Sequence, residues 1–107
     1  AQGIGATILE ELVYDEGGQP LAGSLMDYLL PTSSDIPPIE SAVVDLAPSP
    51  LNPLGVKGAG EIGIVATGAA LSNAVSQALS SLGVQVRELP LSPDRLAQLI
   101  RDNHPAE

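Results

Sequence analysis

Apolar residues recur at helical spacing in three parts of the chain. Residues 2–12 place apolar side chains three or four positions apart, with two acids, Glu10 and Glu11, on the other side. Residues 62–82 carry one apolar stripe and a second face of alanines, and residues 93–102 carry a further apolar face. This spacing is typical of amphipathic helices. The pattern predicts three helices, at about 2–12, 62–82 and 93–102, the second buried on two sides.

Short strands are predicted between these helices. Residues 13–21 are typical of a strand, a glycine turn and a returning strand. Residues 39–46 form an apolar run between prolines, and residues 84–86 alternate directly after Gly83, which supplies the stop expected past a helix end. The predicted fold class is therefore α+β, with three helices and short strands.

Prolines concentrate in the segment 31–53, which holds six of the ten in the chain. Proline fixes its own backbone, restricts the residue before it and cannot donate to a strand ladder. Regular structure is thus confined to the gap at 39–46. We expect the rest of the segment to be an extended arm that lies across another surface.

The composition changes how this pattern is interpreted. The 107 residues include no Phe, no Trp and two Tyr, so a core must be built from small side chains that bury little area each. We interpret residues 1–107 as a single partial domain that packs against a larger partner. The chain begins at Ala1 without an initiator Met or a signal peptide, which is typical of a cut-out fragment.

Charge and cysteine content exclude several classes of function. Residues 1–56 contain eight acids and no Lys or Arg, and the net charge is -9, so nucleic acid is not an expected partner. The chain has no cysteine, and its one histidine, His104, is interpreted as a solvated terminal residue, so we assign no metal ligand. The stretch 62–86 carries no charge, but glycine and polar residues interrupt it. Its apolar runs are therefore too short for a membrane span. We expect a cytoplasmic protein.

The glycine loop, defined here as residues 55–63, is the part of the sequence most typical of a binding site. It reads Gly55-Val56-Lys57-Gly58-Ala59-Gly60-Glu61-Ile62-Gly63 and runs directly into the predicted second helix. Glycine lets a ligand approach the main chain closely, and a helix start favours an anion. Residues 58–63 match G-x-G-x-x-G, but a dinucleotide site requires a strand upstream, and Glu61 would lie where the pyrophosphate binds.

The carboxylate of Glu61 has two interpretations. A glutamate desolvated against a buried helix becomes a usable proton acceptor near neutral pH. Alternatively, Glu61 caps its helix, which is an ordinary role for an acid in a first turn. Spacing alone leaves both interpretations open.

The residues Lys57-Gly58-Ala59-Gly60-Glu61 resemble the K-G-V-G-E loop of the molybdenum hydroxylases, the family of xanthine dehydrogenase, aldehyde oxidase and aerobic carbon monoxide dehydrogenase. Further stretches agree with that family in the same order: Gln2-Gly3-Ile4-Gly5, Glu10-Glu11 with Tyr14-Asp15, Met26-Asp27-Tyr28 with Pro31, Asn52-Pro53-Leu54-Gly55, Asn73-Ala74-Val75 with Ala78-Leu79, and Leu89-Pro90-Leu91-Ser92-Pro93. The chain is similar to the C-terminal segment of the molybdopterin-binding large subunit. Its motifs most resemble those of the carbon monoxide dehydrogenase-like branch. Ala59 replaces the commoner Val of the loop.

The resemblance implies specific roles for residues of this chain. Glu61 would be the general base beside molybdenum, and Lys57, Gly58, Ala59 and Gly60 would position it and touch the cofactor. Gln2 and Gly3 match the end of a Q-G motif near the pterin. Molybdopterin is thereby implied as the cofactor of the full-length enzyme, and the isolated chain is expected to hold none.

The resemblance also implies an activity and partners. The full-length enzyme would be an oxidoreductase that hydroxylates an electrophilic carbon of carbon monoxide, an aldehyde or an N-heterocycle. Its partners would be the remainder of the large subunit together with FAD and iron–sulfur subunits or domains. The isolated chain is not expected to be active. The alternative hypothesis is a stand-alone, non-catalytic interaction module that retains the family scaffold.

Overall fold

The computed structural model describes residues 1–103, so the interpretation of His104 as solvated lies outside the described residues. Three α-helices follow one another along the chain: α1 spans Gln2–Ile8, α2 spans Thr67–Ala78 and α3 spans Pro93–Asn103. A single 3₁₀ turn, Ser80–Leu82, extends α2. The prediction of three helices is confirmed.

Helices α1 and α2 cross closely because glycine on each helix faces threonine on the other. A Cβ added at Gly3 would lie 2.6 Å from Oγ1 of Thr67, and one added at Gly68 would lie 3.7 Å from Oγ1 of Thr7. Contacts this short leave no room for a side chain at Gly3. Gly3 therefore permits a close helix contact, although glycine costs a helix about 1 kcal/mol relative to alanine.

The buried core lies beside this crossing and is small. Within the described residues, the buried apolar side chains are Val84 and Leu91, and the buried polar side chain is Thr7. Thr7 donates its hydroxyl to the carbonyl of Gly3 at 2.6 Å, and its own carbonyl accepts the N–H of Leu91 at 2.6 Å. These bonds tie the segment before α3 to α1.

Helix α1 is shorter than the predicted 2–12 because its last residues have partners elsewhere. The N–H groups of Leu9 and Glu10 both donate to the carbonyl of Gly5, each at 2.9 Å, which ends the helix. Glu10 then accepts the Tyr28 hydroxyl at 2.5 Å, and Glu11 pairs with Arg95 of α3 at 3.1 Å. Tertiary contacts thus override the helical spacing of the apolar residues.

Helix α2 begins later than predicted, at Thr67 instead of 62. The carbonyl of Glu61 accepts the N–H groups of Ile64 and Val65 at 3.0 and 3.2 Å, so the residues before α2 form turns. Gly63 lies within these turns, and glycine costs a helix about 1 kcal/mol relative to alanine. No residue of α2 is fully buried by the described part of the chain, so the predicted burial on two sides is not supplied by this chain.

The predicted short strands are wrong for the residues that the structure describes. At 13–21 the turn forms, but the pairing is limited to the single bridge between Tyr14 and Pro20. Two backbone hydrogen bonds flank this bridge: the N–H of Asp15 donates to the carbonyl of Gln19 at 2.9 Å, and the N–H of Leu21 donates to the carbonyl of Val13 at 2.7 Å. Residues 39–46 are unpaired, and Val43 is 96% exposed. In 84–86, the N–H of Val86 donates to Oγ of Ser76 in α2 at 2.9 Å and not to a neighbouring strand.

The described chain is elongated, with extents of 64 × 38 × 27 Å and a radius of gyration of 18.3 Å. A compact domain of this length has a radius of gyration of about 13 Å. The proline-rich segment has apolar side chains that are largely exposed: Ile39, Val43, Val44, Leu46 and Leu51. The shape leaves broad apolar surface uncovered.

Candidate functional site

The glycine loop is fixed at its first end by Asn52. The side chain of Asn52 donates to the carbonyl of Val56 and accepts its N–H, both at 3.0 Å. Gly55 lies in the left-handed region at φ 66°, and a Cβ there would meet Cβ of Pro48 at 2.7 Å. Only glycine fits this position, so the loop leaves its proline-rich base in a defined direction.

The other end of the glycine loop is fixed by Thr67, the first residue of α2. Oγ1 of Thr67 donates to the carbonyl of Gly63 at 2.9 Å, and its N–H donates to the carbonyl of Ile64 at 3.1 Å. Glu61 begins the turns that join the loop to the helix. The loop is therefore an exposed strap held at both ends.

Three glycines between these ends lie where the described chain would also accommodate a side chain. Nothing lies within 4 Å of a Cβ added at Gly58, Gly60 or Gly63, and none of the three has positive φ. Within the described residues, neither steric crowding nor backbone conformation requires glycine at these three positions.

The side chains of Lys57 and Glu61 are exposed, and within residues 1–103 they take part in no hydrogen bond or ion pair. The interpretation of Glu61 as a helix cap is wrong. Helix α2 begins six residues later, with Ala66 at its N-cap and no acid in its first turn. The same separation keeps the glycines away from the helix N-terminus that a dinucleotide fingerprint requires.

The structure brings the predicted Gln2-Gly3 motif to the end of the glycine loop through one shared contact. Gly3 packs against Thr67, and Thr67 bonds to Gly63. Gln2 is exposed at the first position of α1. Sequence reasoning missed Thr67, although its spacing of four from Gly63 is a recognised pattern for a hydroxyl that bonds back to a carbonyl.

Two clefts among the described residues lie away from the glycine loop. One, of about 470 Å³, lies between the segment 85–91 and α3, and the other, of about 350 Å³, lies beside Leu12 and Tyr28. The loop itself lies on an open surface. Within the described residues no three His, Cys, Asp or Glu side chains are grouped as metal ligands, and no helix has the length and apolar character to cross a membrane.

Known proteins resemble this chain along most of its length. The family model of a molybdopterin cofactor-binding domain matches residues 1–37. The gamma subunit of the 6-hydroxypseudooxynicotine dehydrogenase complex of Paenarthrobacter nicotinovorans is 46% identical over 89% of this chain and 12% of its own length. The large subunit of nicotine 6-hydroxylase from the same organism is 40% identical over 91% of this chain and 12% of its own.

The fold of one solved structure is also similar to this chain. Quinoline 2-oxidoreductase from Pseudomonas putida 86 is 43% identical, with a TM-score of 0.88 over 95% of this chain and 13% of that chain. The chain belongs to the molybdenum hydroxylases, as a segment of their large subunit. It spans about one eighth of the length of these relatives.

Membership of the molybdenum hydroxylases confirms the resemblance seen in the motifs, and it supports molybdopterin as the cofactor of the full-length enzyme. The carbon monoxide dehydrogenase large chain of Afipia carboxidovorans is also a relative, at 38% identity over 81% of this chain and 11% of its own length. The two nicotine enzymes are more similar than this, so the expected preference for the carbon monoxide branch is not supported.

Proposed function

We propose that this chain supplies the general base and part of the cofactor-contacting surface of a molybdenum hydroxylase large subunit. In this proposal Glu61 is the base, Lys57, Gly58, Ala59 and Gly60 contact molybdopterin, and Gln2 and Gly3 contact it from the start of α1. The residues 1–107 form part of one domain that is completed by the remainder of the subunit.

The observation that carries the proposal is the exposed glycine loop, which is fixed at both ends and presents a carboxylate with no partner in the described chain. Its central glycines face open space. The loop is anchored at both ends and has no contact on its outer side. It is therefore suited to binding a cofactor that lies against it.

The donors of the loop fit an oxygen- and nitrogen-rich cofactor such as molybdopterin. The backbone N–H groups of residues 57–60 make no hydrogen bond within the described chain. Backbone N–H groups and a nearby Lys suit phosphate and heterocyclic acceptors. When bound, the cofactor supplies the oxygen chemistry and accepts the electrons of the hydroxylation.

The role of Glu61 in this proposal is to hold and release a proton at its carboxylate while an electrophilic carbon is hydroxylated. A positioned general base contributes roughly 10²–10⁴-fold to a reaction rate. Among the substrate classes expected from the sequence, we propose an N-heterocycle, because two relatives carry nicotine and quinoline in their names.

The exposed apolar surface supports the remainder of the large subunit as a partner. The proline-rich segment and the alanine face of α2 are uncovered in the described chain. Burial stabilises by about 25 cal/mol per Å² of apolar area, so covering these surfaces favours docking strongly. Association with FAD and iron–sulfur subunits or domains, and a cytoplasmic location, complete the proposal.

The base assignment is tested with Glu61→Gln in the complete enzyme. The amide keeps the shape of the side chain but cannot accept the proton, so we expect kcat per bound molybdenum to fall by about 10²-fold or more. Glu61→Asp, which keeps the charge but shortens the reach, is expected to retain more activity than the amide. Molybdenum content is measured in every preparation.

Glu16→Gln is the matched control, because Glu16 is an exposed acid in the turn that follows α1 and has no side-chain hydrogen bond in the described chain. It should leave kcat unchanged. Turnover of Glu61→Gln within tenfold of wild type would show that Glu61 is not the base.

A further inference from the structure

Thr67 contacts both the start of α1, at Gly3, and the end of the glycine loop, at Gly63. It is the first residue of α2 and is half-buried. On one side it faces the backbone of Gly3 in α1, and on the other side it bonds to Gly63 at the end of the glycine loop. No contact of this kind joins the other loop anchor, Asn52, to α1 within the described residues.

The contact with Gly3 restrains the Thr67 side chain. A Cβ added at Gly3 would lie 2.6 Å from Oγ1, 2.7 Å from Cβ and 3.0 Å from Cγ2 of Thr67. The three heavy atoms nearest to that Cβ position thus all belong to one threonine, and a branched side chain packed in this way has few rotamers. The hydroxyl is held in the orientation that donates to Gly63.

The hydrogen bond to Gly63 is placed where it controls Glu61. The carbonyl of Gly63 lies outside α2, two residues after Glu61, whereas the Asn52 anchor at Val56 lies five residues before it. The turns between Glu61 and Thr67 contain two further backbone bonds to the Glu61 carbonyl. The Thr67 hydroxyl therefore closes the short segment that begins at the carboxylate.

We infer that Thr67 is a positioning residue that fixes Glu61 relative to the start of α1. This inference rests on the proposed function, because it assigns the restraint to the general base. Misplacing a catalytic group by about 1 Å can cost about 10²-fold in rate. The position of the carboxylate is thus set by a hydroxyl that does not itself touch the reacting atoms.

The test compares Thr67→Ser with Thr67→Ala in the complete enzyme. Both variants remove the γ-methyl group, and they differ only in the hydroxyl. We expect Thr67→Ser to keep kcat within about twofold of wild type, and Thr67→Ala to lower kcat by about tenfold or more with KM unchanged. Rates are taken per bound molybdenum, so that incomplete assembly does not count as lost catalysis.

Ser76→Ala is the matched control, because it removes a hydroxyl oxygen from the same helix, where Ser76 accepts the N–H of Val86 at 2.9 Å. It should lower stability without lowering kcat. Equal kcat in the serine and alanine variants at position 67 would overturn the inference, as would an equal loss of kcat in Ser76→Ala. If Glu61→Gln kept its activity, the proposed function would fail independently of the result at Thr67.

Discussion

The hydroxyl of Tyr28 illustrates how single side chains hold this elongated chain together. It donates to the carboxylate of Glu10 at 2.5 Å and so joins the end of α1 to the segment before the proline-rich arm. This hydrogen bond raises the pKa of Tyr28 above its usual value of 10.0, with smaller contributions from desolvation and from the charge of Glu10. Deprotonated Tyr28 would lose the bond and repel the carboxylate.

Tyr28→Phe should destabilise the enzyme in a pH-dependent manner. Because the folded-state pKa is raised, the contribution of Tyr28 is present in full below pH 10 and is lost as the pH rises through the folded-state value. We expect the difference in Tm between wild type and Tyr28→Phe to be constant from pH 7 to 9 and to shrink above about pH 10. A constant difference at all pH values would contradict the assignment.

Several residues could be predicted from the sequence because their roles are local. Gly83 adopts the left-handed conformation at φ 67° directly after the 3₁₀ turn, as its position past a helix end predicted. Oγ of Ser92 accepts the N–H of Arg95 at 3.5 Å, which is a capping bond between neighbouring residues at the start of α3. Thr67 could not be predicted, because its packing partner Gly3 is distant in the sequence.

The bounds of the helices could likewise be predicted where they depend on neighbouring residues, and not where they depend on residues distant in the sequence. Helix α3 has the predicted bounds to within one residue, because its start is set by the Ser92-Pro93 cap and its apolar face by its own spacing. Helix α2 starts late because the Thr67 hydroxyl and the turns after Glu61 take the place of helical bonds. The predicted strands fail for the lack of a neighbouring strand in the described chain, which alternation of apolar residues cannot reveal.

The crossing of α1 and α2 makes Gly3→Ala a sharp test of the element packing. The new methyl group would lie 2.6 Å from Oγ1 of Thr67, so the helices must separate, at a cost of about 1–3 kcal/mol. We expect faster amide hydrogen exchange in peptides that cover α1 and the start of α2 in the complete enzyme. Mass spectrometry of digested samples measures this directly.

Gly23→Ala is the control for that experiment, because nothing lies within 4 Å of a Cβ at Gly23 and its φ is not positive. It should leave exchange in α1 and α2 unchanged. Protection of both helices at the wild-type level in Gly3→Ala would mean that the crossing is looser than the contact distances indicate.

Across the described residues, most of the large apolar side chains are exposed. Residues 1–103 bury only two apolar side chains, Val84 at 1% and Leu91 at 6% exposure, and the alanine-rich α2 has none buried. The absence of Phe and Trp predicted a weak core from the sequence alone. Which surfaces stay open could not be predicted, because that depends on the path of the proline-rich arm.

An isolated chain of residues 1–107 is expected not to unfold cooperatively. The longest helices among residues 1–103 have 12 and 11 residues, and helices of this length are marginal in water without tertiary packing. Two buried apolar side chains offset only a small part of the backbone entropy, which costs about 1–2 kcal/mol per ordered residue. Far-ultraviolet circular dichroism should therefore show little helix and a broad thermal transition, whereas hydrogen exchange in the complete enzyme should show α2 and α3 protected.

A sharp transition of a cofactor-free monomer would instead support the stand-alone interaction module, because a chain that folds alone does not need the remainder of the large subunit to cover its apolar surface.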